Sequence, residues 1–113
     1  MLAYNVIVLC LAAAASAQTF SGFGAGGIVC QGGNSATNAE VQSAIVGPKG
    51  SVKQDKASNL SYGRCKTLDV PMYSQQVGDK FIINYAFDQA SNTYNFCSAS
   101  ISGDFYGKQC LPQ

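Results

Sequence analysis

This chain of 113 residues contains no histidine. Histidine is the side chain that most often transfers protons in enzymes near neutral pH, because its pKa lies in that range. Its absence excludes catalysis that depends on an imidazole acid or base, and it favours a binding function over an enzymatic one. The chain also lacks a CxxC pair. Without that spacing and without histidine the usual zinc sites are excluded, so we expect no metal and no cofactor.

The first 17 residues lack charged side chains and resemble a cleavable leader. They contain the apolar run Val6–Ala14, which is followed by the small residues Ala15–Ala17, a pattern typical of a signal-peptide cleavage site. We therefore predict a signal peptide over residues 1–17 and a mature chain that begins at Gln18. A membrane anchor is the alternative, but the run is too short to span a bilayer, so we expect no span after cleavage.

The chain has five cysteines, and the predicted cleavage removes Cys10 with the leader. An even number then remains in an exported chain, which is typical of a disulfide framework. Four cysteines allow three pairings, and the sequence alone does not choose among them. A bridge between the first and the last would contribute about 4 kcal/mol in the chain-entropy model. The four are Cys30, Cys65, Cys97 and Cys110.

The net charge is only +1, but the charges are unevenly distributed. Basic residues concentrate in the middle of the sequence, where only Asp55 opposes them. Such a segment is a candidate for contact with RNA phosphates, and the alternative is an ordinary solvated loop. Tyr62, Tyr73 and Tyr85 could stack on bases, although tyrosines in strands are more often core or sheet-surface residues. The basic candidates are Lys49, Lys53, Lys56, Arg64 and Lys66.

Local signals predict one helix followed by several strands. Residues 18–27 are glycine-rich and predict a flexible N-terminal arm or an extension of a sheet edge, ahead of a folded domain over 28–113. Thr37 and Glu40 form a capping-box pattern that begins the helix, and Gly47 ends it. These elements together predict an α+β domain with a helix packed on an antiparallel sheet.

The strand signals lie mostly in the second half, after an irregular loop or weak hairpin over 50–63. That loop contains an N-glycosylation sequon that begins at Asn59. Pro71 indicates an edge, a bulge or a strand end. The predicted strands are Ile28–Cys30, Leu68–Tyr73, Lys80–Phe87, Tyr94–Ile101 and Phe105–Cys110.

Several segments, in this order, resemble the small secreted fungal ribonucleases that cleave RNA after guanine or purines. The likeness covers roughly residues 28–110. The resemblance implies a curved antiparallel sheet under one helix, with disulfides Cys30–Cys110 and Cys65–Cys97. The segments that carry it are Cys30 with the helix 39–46, Leu68–Met72, Asp79–Ile83, Phe96–Gly103 and Phe105–Cys110.

That family needs a carboxylate base, an arginine near the phosphate and a histidine acid. The resemblance aligns Asp69 with the carboxylate, Lys80 with the arginine, and Ile101 or Ser102 with the histidine. Neither Ile101 nor Ser102 is a general acid near neutral pH, and losing one such partner costs a factor of about 10² to 10⁴. The site is therefore expected to be degenerate, with no catalytic residue. The alternative for Asp69 and Lys80 is a surface ion pair on neighbouring strands.

The same features are similar to a second group, the RNase-like effectors secreted by plant-associated fungi, which lack the catalytic residues. This resemblance implies a secreted, non-catalytic virulence effector that binds a host protein, such as an immune receptor, or RNA. We expect a monomer, and action outside host cells and delivery into them both stay open. The alternatives are a weak secreted guanyl- or purine-preferring endoribonuclease, using Asp69, Lys80 and Arg64, and a small cystine-stabilised extracellular toxin.

Overall fold

The computed structural model describes residues 17–60, 63–102 and 109–113. These ranges form one α-helix and two sheets, a five-stranded sheet of order β1-β7-β6-β5-β4 and a three-stranded sheet of order β3-β2-β8. The fold class is therefore α+β, as the sequence predicts. No helix within these ranges is both long enough and apolar enough to cross a membrane. The elements are β1 (Thr19–Ser21), β2 (Ile28–Cys30), β3 (Ser35–Ala36), α1 (Asn38–Ile45), β4 (Ser51–Gln54), a 3-10 turn (Ala57–Asn59), β5 (Met72–Val77), β6 (Phe81–Asp88), β7 (Thr93–Ser100) and β8 (Cys110–Pro112).

Helix α1 begins at the predicted capping box. The Thr37 hydroxyl accepts a hydrogen bond from the backbone N–H of Glu40 at 3.2 Å, and the Glu40 carboxylate accepts one from the backbone N–H of Thr37 at 3.2 Å. Val41 and Ile45 are fully buried against the sheet. Two predicted features of the helix are therefore confirmed. The capping box starts the helix, and the apolar stripe faces the core.

Two tyrosines of the sheet hold the carboxyl end of α1. The hydroxyl of Tyr85 donates to the backbone carbonyls of Ile45 and Lys49, and the N–H of Gly47 donates to the hydroxyl of Tyr94 at 3.0 Å. Burial raises the pKa of Tyr85 well above its ordinary value, so this phenol stays protonated and keeps donating. The helix is thus fixed across the middle of the five-stranded sheet.

The two faces of the five-stranded sheet differ in character, because side chains alternate along each strand. The face under α1 carries the main core. The opposite face is polar at its centre and has a small apolar cluster at one end, formed by Ala57, Cys65, Met72 and Ala86. The main core includes Phe23, Ile28, Val41, Ile45, Val77, Phe81, Ile83, Tyr85, Tyr94, Phe96 and Ala99.

The sheet departs from the prediction at one edge, where β1 lies parallel to β7. The expectation of a purely antiparallel sheet is therefore wrong, since the five-stranded sheet is mixed. Of the two alternatives offered for residues 18–27, the sheet-edge extension is the one observed. Phe23, two residues after β1, is only 4% exposed and belongs to the core.

The strand predicted at Leu68–Tyr73 is misplaced, because the observed strand β5 begins at Met72. Pro71 has no backbone N–H to give to a neighbouring strand, so pairing starts just after it. The segment before the proline bonds instead to the 3-10 turn, through Ala57 N–H to Val70 and Ser58 N–H to Leu68. Most of the predicted strand Phe105–Cys110 lies outside the described residues.

Two disulfides are present, in the pairing that the resemblance implies. Cys30–Cys110 joins β2 to β8 across a sequence separation of 80, and Cys65–Cys97 ties the loop before β5 to β7 across 32. The first links the two ends of the domain, and the second fastens a long polar loop over the small apolar cluster.

Candidate functional site

Asp69 and Lys80 lie beyond opposite ends of β5. Asp69 comes before the strand and Lys80 after it, and a strand of six residues spans roughly 17 Å. Asp69 accepts a hydrogen bond from the Ser58 hydroxyl at 2.5 Å, whereas the Lys80 ammonium lies 2.7 Å from the Glu40 carboxylate. The alternative of an Asp69–Lys80 ion pair is therefore wrong, and the two side chains do not converge on one phosphate-sized site.

Lys80 connects the helix to the turn before β6. Its ammonium bonds Glu40 in the first turn of α1, and its backbone carbonyl accepts from the Asn34 side chain at 3.0 Å. The hydrogen bond from Lys80, supported by one from the Thr37 backbone, lowers the pKa of Glu40 below its ordinary value of 4.5. This arrangement gives Lys80 a structural role at the position that the resemblance aligned with an arginine.

The lowered pKa of Glu40 predicts a pH-dependent contribution to stability. A carboxyl group whose pKa is lower in the folded state stabilises the fold above its unfolded pKa, and the contribution is lost as pH falls through the folded value. We expect wild type to be slightly more stable than Glu40→Gln at neutral pH, with the gap closing below about pH 4. Urea unfolding of both proteins from pH 7 to pH 3 measures this difference in stability. Asp55→Asn, at an exposed carboxylate, is the control. A gap that stays constant with pH would contradict the ion pair.

Ile101 and Ser102 follow the last residue of β7 and are both exposed. Ile101 lines a shallow hollow beside Gln31 and Asn34, next to the end of β2. The register pairs the end of β7 with the start of β6, so these residues share the Lys80 end of the sheet and lie away from Asp69. The three positions aligned with catalytic residues are thus divided between the two ends.

The basic candidates do not form one patch. Lys53 lies on the edge strand β4, whereas Arg64 donates to the carbonyl of Gly22 at 3.3 Å and covers the Phe96 ring at 5.4 Å, beside the opposite edge. Four strand spacings separate these edges, which is about 19 Å. Lys49 points back to the helix and donates to the carbonyl of Ser43. Lys53 and Arg64 therefore lie too far apart to contact the same phosphate.

Lys56 precedes the 3-10 turn and Lys66 follows Cys65, and both are exposed. Their neighbours Ala57 and Cys65 belong to the same small apolar cluster. Tyr73 is half-buried and stacks on Tyr85 with ring centroids 5.4 Å apart, so one face of its ring is already occupied. Asn59 is exposed, which suits a glycosylation site. Tyr62 lies outside the described residues.

A row of uncharged polar residues crosses the sheet on the face opposite α1, and we call it the polar row. The register places Ser51 of β4 beside Ser74 of β5, Ser74 beside Asn84 of β6, and Asn84 beside Ser98 of β7. Asn84 is 5% exposed and donates to the Ser98 hydroxyl at 3.0 Å. Its carbonyl oxygen is buried and has no hydrogen-bond partner among the described residues.

The polar row can bind but cannot transfer protons near neutral pH, since it contains only hydroxyl and amide groups. A buried acceptor without a partner costs about 1–3 kcal/mol, but the Asn84 side-chain oxygen lies below the surface. A partner would instead meet the more accessible side chains of Ser51, Ser74 and Ser98. The sequence analysis missed this row. The available signal was Asn84, an asparagine that interrupts the apolar and aromatic residues Phe81–Phe87 of β6.

No protein-family model, curated protein or solved structure matches this chain. The likeness to ribonucleases therefore rests on the short segments around Asp69, Lys80 and the cysteines. Membership of that family stays a proposal.

A second concave region lies at the end of the sheet near the β6–β7 hairpin. It is a groove of about 1000 Å³, and its lining includes Pro48, Pro71, Tyr73, Phe87 and Asp88. Within the described ranges no three histidine, cysteine, aspartate or glutamate residues are grouped closely enough to hold a metal ion. The groove is apolar and open, and it brings together no acid–base pair.

Proposed function

We propose that this chain is a secreted, non-catalytic protein with a ribonuclease-like framework, which acts as an effector by binding a host protein. The observation that carries the proposal is the separation of Asp69 from Lys80, each held in its own local contact. General acid–base catalysis needs its groups within hydrogen-bond reach of one reacting centre. The polar row, which could hydrogen-bond a partner, occupies the middle of the sheet instead.

A protein partner is favoured over RNA by the distribution of charge. Binding to a nucleic-acid backbone depends on several cations that neutralise neighbouring phosphates. Lys53 and Arg64 lie at opposite edges of the sheet, and Lys80 is paired with Glu40. The polar row adds no cation to neutralise phosphates, so it does not supply the charge that binding to a nucleic-acid backbone needs.

Purified protein is expected to cleave RNA no faster than buffer does. Wild type, Asp69→Ala and Lys80→Ala should give the same background, because neither side chain is placed for catalysis. The measurement is cleavage of purine-rich and pyrimidine-rich RNA, with an active fungal ribonuclease as positive control. Robust cleavage that disappears in Asp69→Ala would overturn the proposal in favour of the weak endoribonuclease.

Binding is tested with the polar row itself. Ser51→Arg adds a large charge at the exposed end of the row, and Ser43→Arg makes the same exchange on the exposed side of the helix. We expect Ser51→Arg to lose the host protein that wild type retains from host extract, and Ser43→Arg to keep it.

Salt-sensitive binding of labelled RNA would favour an RNA partner. Growth inhibition or membrane leakage at low concentration would favour the extracellular toxin.

A further inference from the structure

The predicted cleavage after Ala17 makes Gln18 the first residue of the mature chain. Gln18 is exposed, and its side chain makes no hydrogen bond with the described residues. The next residue is already fixed, because the N–H of Thr19 donates to the carbonyl of Asn92 at 3.1 Å. The side chain of Gln18 is thus free, whereas the backbone is held in place from Thr19 onward.

We propose that Gln18 cyclises to a pyroglutamyl N-terminus, an inference that rests on the proposed export and on cleavage after Ala17. In this step the α-amino nitrogen attacks Cδ of its own side-chain amide. The new N–Cδ bond closes a five-membered lactam, the Cδ–Nε2 bond breaks, and ammonia leaves with the proton from the amine. No oxidant or other reactant is consumed. An α-amino group has a pKa of about 7.7–8.0, so a useful fraction is unprotonated near neutral pH.

The hairpin beside residue 18 is compatible with the cyclised form. The side chain of Asn92 donates to the carbonyl of Ala17 at 2.5 Å, and cleavage removes that acceptor with the leader. An uncyclised terminus would replace it with an ammonium group, which only donates. Cyclisation removes that ammonium group and leaves an amide carbonyl on the nitrogen of residue 18, although the ring turns this oxygen to the opposite side of the C–N bond from the Ala17 oxygen.

The modification would protect the edge of the sheet. Strand β1 has only three residues and begins one residue after the mature terminus. Within it, Phe20 stacks on Tyr94 with centroids 5.2 Å apart. An aminopeptidase that removed three residues would delete Phe20 and the parallel pairing with β7. A lactam has no free α-amine, so it blocks ordinary aminopeptidases and removes the terminal charge.

The test is mass spectrometry of the protein secreted by a eukaryotic host. We expect an N-terminal peptide that begins at residue 18 and is lighter than its glutamine form by one ammonia. In Gln18→Ala the same peptide should carry a free amine. Aminopeptidase should then shorten Gln18→Ala and leave wild type intact, until a pyroglutamyl peptidase removes the lactam.

The two ways of failing are distinguishable. A terminus at another residue, or an uncleaved leader, overturns the predicted processing and with it the cyclisation. A terminus at Gln18 that keeps its free amine after prolonged incubation at physiological temperature overturns the cyclisation alone. Equal trimming of wild type and Gln18→Ala by aminopeptidase overturns the protective role.

Discussion

Replacing Cys30 and Cys110 together by alanine is expected to lower the free energy of unfolding by about 4.5 kcal/mol, from the loop-closure entropy of the unfolded chain. This bridge closes a loop with a sequence separation of 80, the longer of the two. It joins residues directly opposite each other on β2 and β8, and both are almost fully buried. Since a small domain has only about 5–15 kcal/mol in total, much of the stability would be lost.

The matched control is the double replacement of Cys65 and Cys97, whose sequence separation is 32. The same relation gives about 3.7 kcal/mol for this shorter loop. Urea unfolding followed by circular dichroism, with both variants at the same temperature, measures the two losses. If the Cys65–Cys97 variant loses more stability than the Cys30–Cys110 variant, loop length does not account for the effect. Packing of the small apolar cluster under the second bridge would then contribute more to stability than loop closure does.

The elements that the sequence predicts well are those determined by residues close together in the sequence. Thr37 and Glu40 are three residues apart and cap the helix without help from the rest of the chain. Strands β6 and β7 begin and end within one residue of their predicted limits, because β6 is mostly apolar and aromatic and β7 begins with an alternation of polar and aromatic residues. Helix capping and apolar runs are signals within one element, so a single sequence contains them.

Strand β5 shows where local signals fail. Its middle contains Ser74, Gln75 and Gln76, which are neither β-prone nor an alternation of apolar and polar residues. These residues are in a strand because β6 pairs with all of them, and because the Gln75 side chain donates to the carbonyl of Ala44 in the helix at 3.0 Å. Both contacts come from distant parts of the chain, so tertiary pairing overrides the weak local preference.

The candidate site was predictable only as a set of positions. The resemblance aligns Asp69, Lys80, Ile101 and Ser102 with a catalytic set, but it does not predict that Lys80 pairs with a residue 40 positions earlier. The polar row depends on strand register, and a bulge after Asn84 shifts that register within β6 and β7. A shift of one residue exchanges the two faces of a strand, so the row could not be placed before the pairing was known.

Phe23→Ala is expected to lower the free energy of unfolding by about 3–5 kcal/mol, the usual loss for a buried phenylalanine. The ring is 4% exposed and meets Phe20 and Phe96 edge-on, with centroids 5.8 Å and 5.7 Å away. The glycines on either side of Phe23 allow the backbone conformation and the close approach that this packing needs. Gly22 and Gly24 have φ of +82° and +72°, and a Cβ on Gly24 would lie 2.4 Å from the carbonyl oxygen of Gln113.

Val52→Ala is the matched control, because Val52 is 54% exposed on the edge strand β4 and its truncation should change stability by less than about 0.5 kcal/mol. Chemical denaturation of wild type and both variants gives the two differences. An equal, small loss in both would mean that residues 18–27 lie outside the cooperative fold. A large loss in Phe23→Ala alone would make the glycine-rich segment part of the core, since only a buried ring leaves a cavity when it is removed. Aminopeptidase trimming past β1 would then destabilise the whole domain.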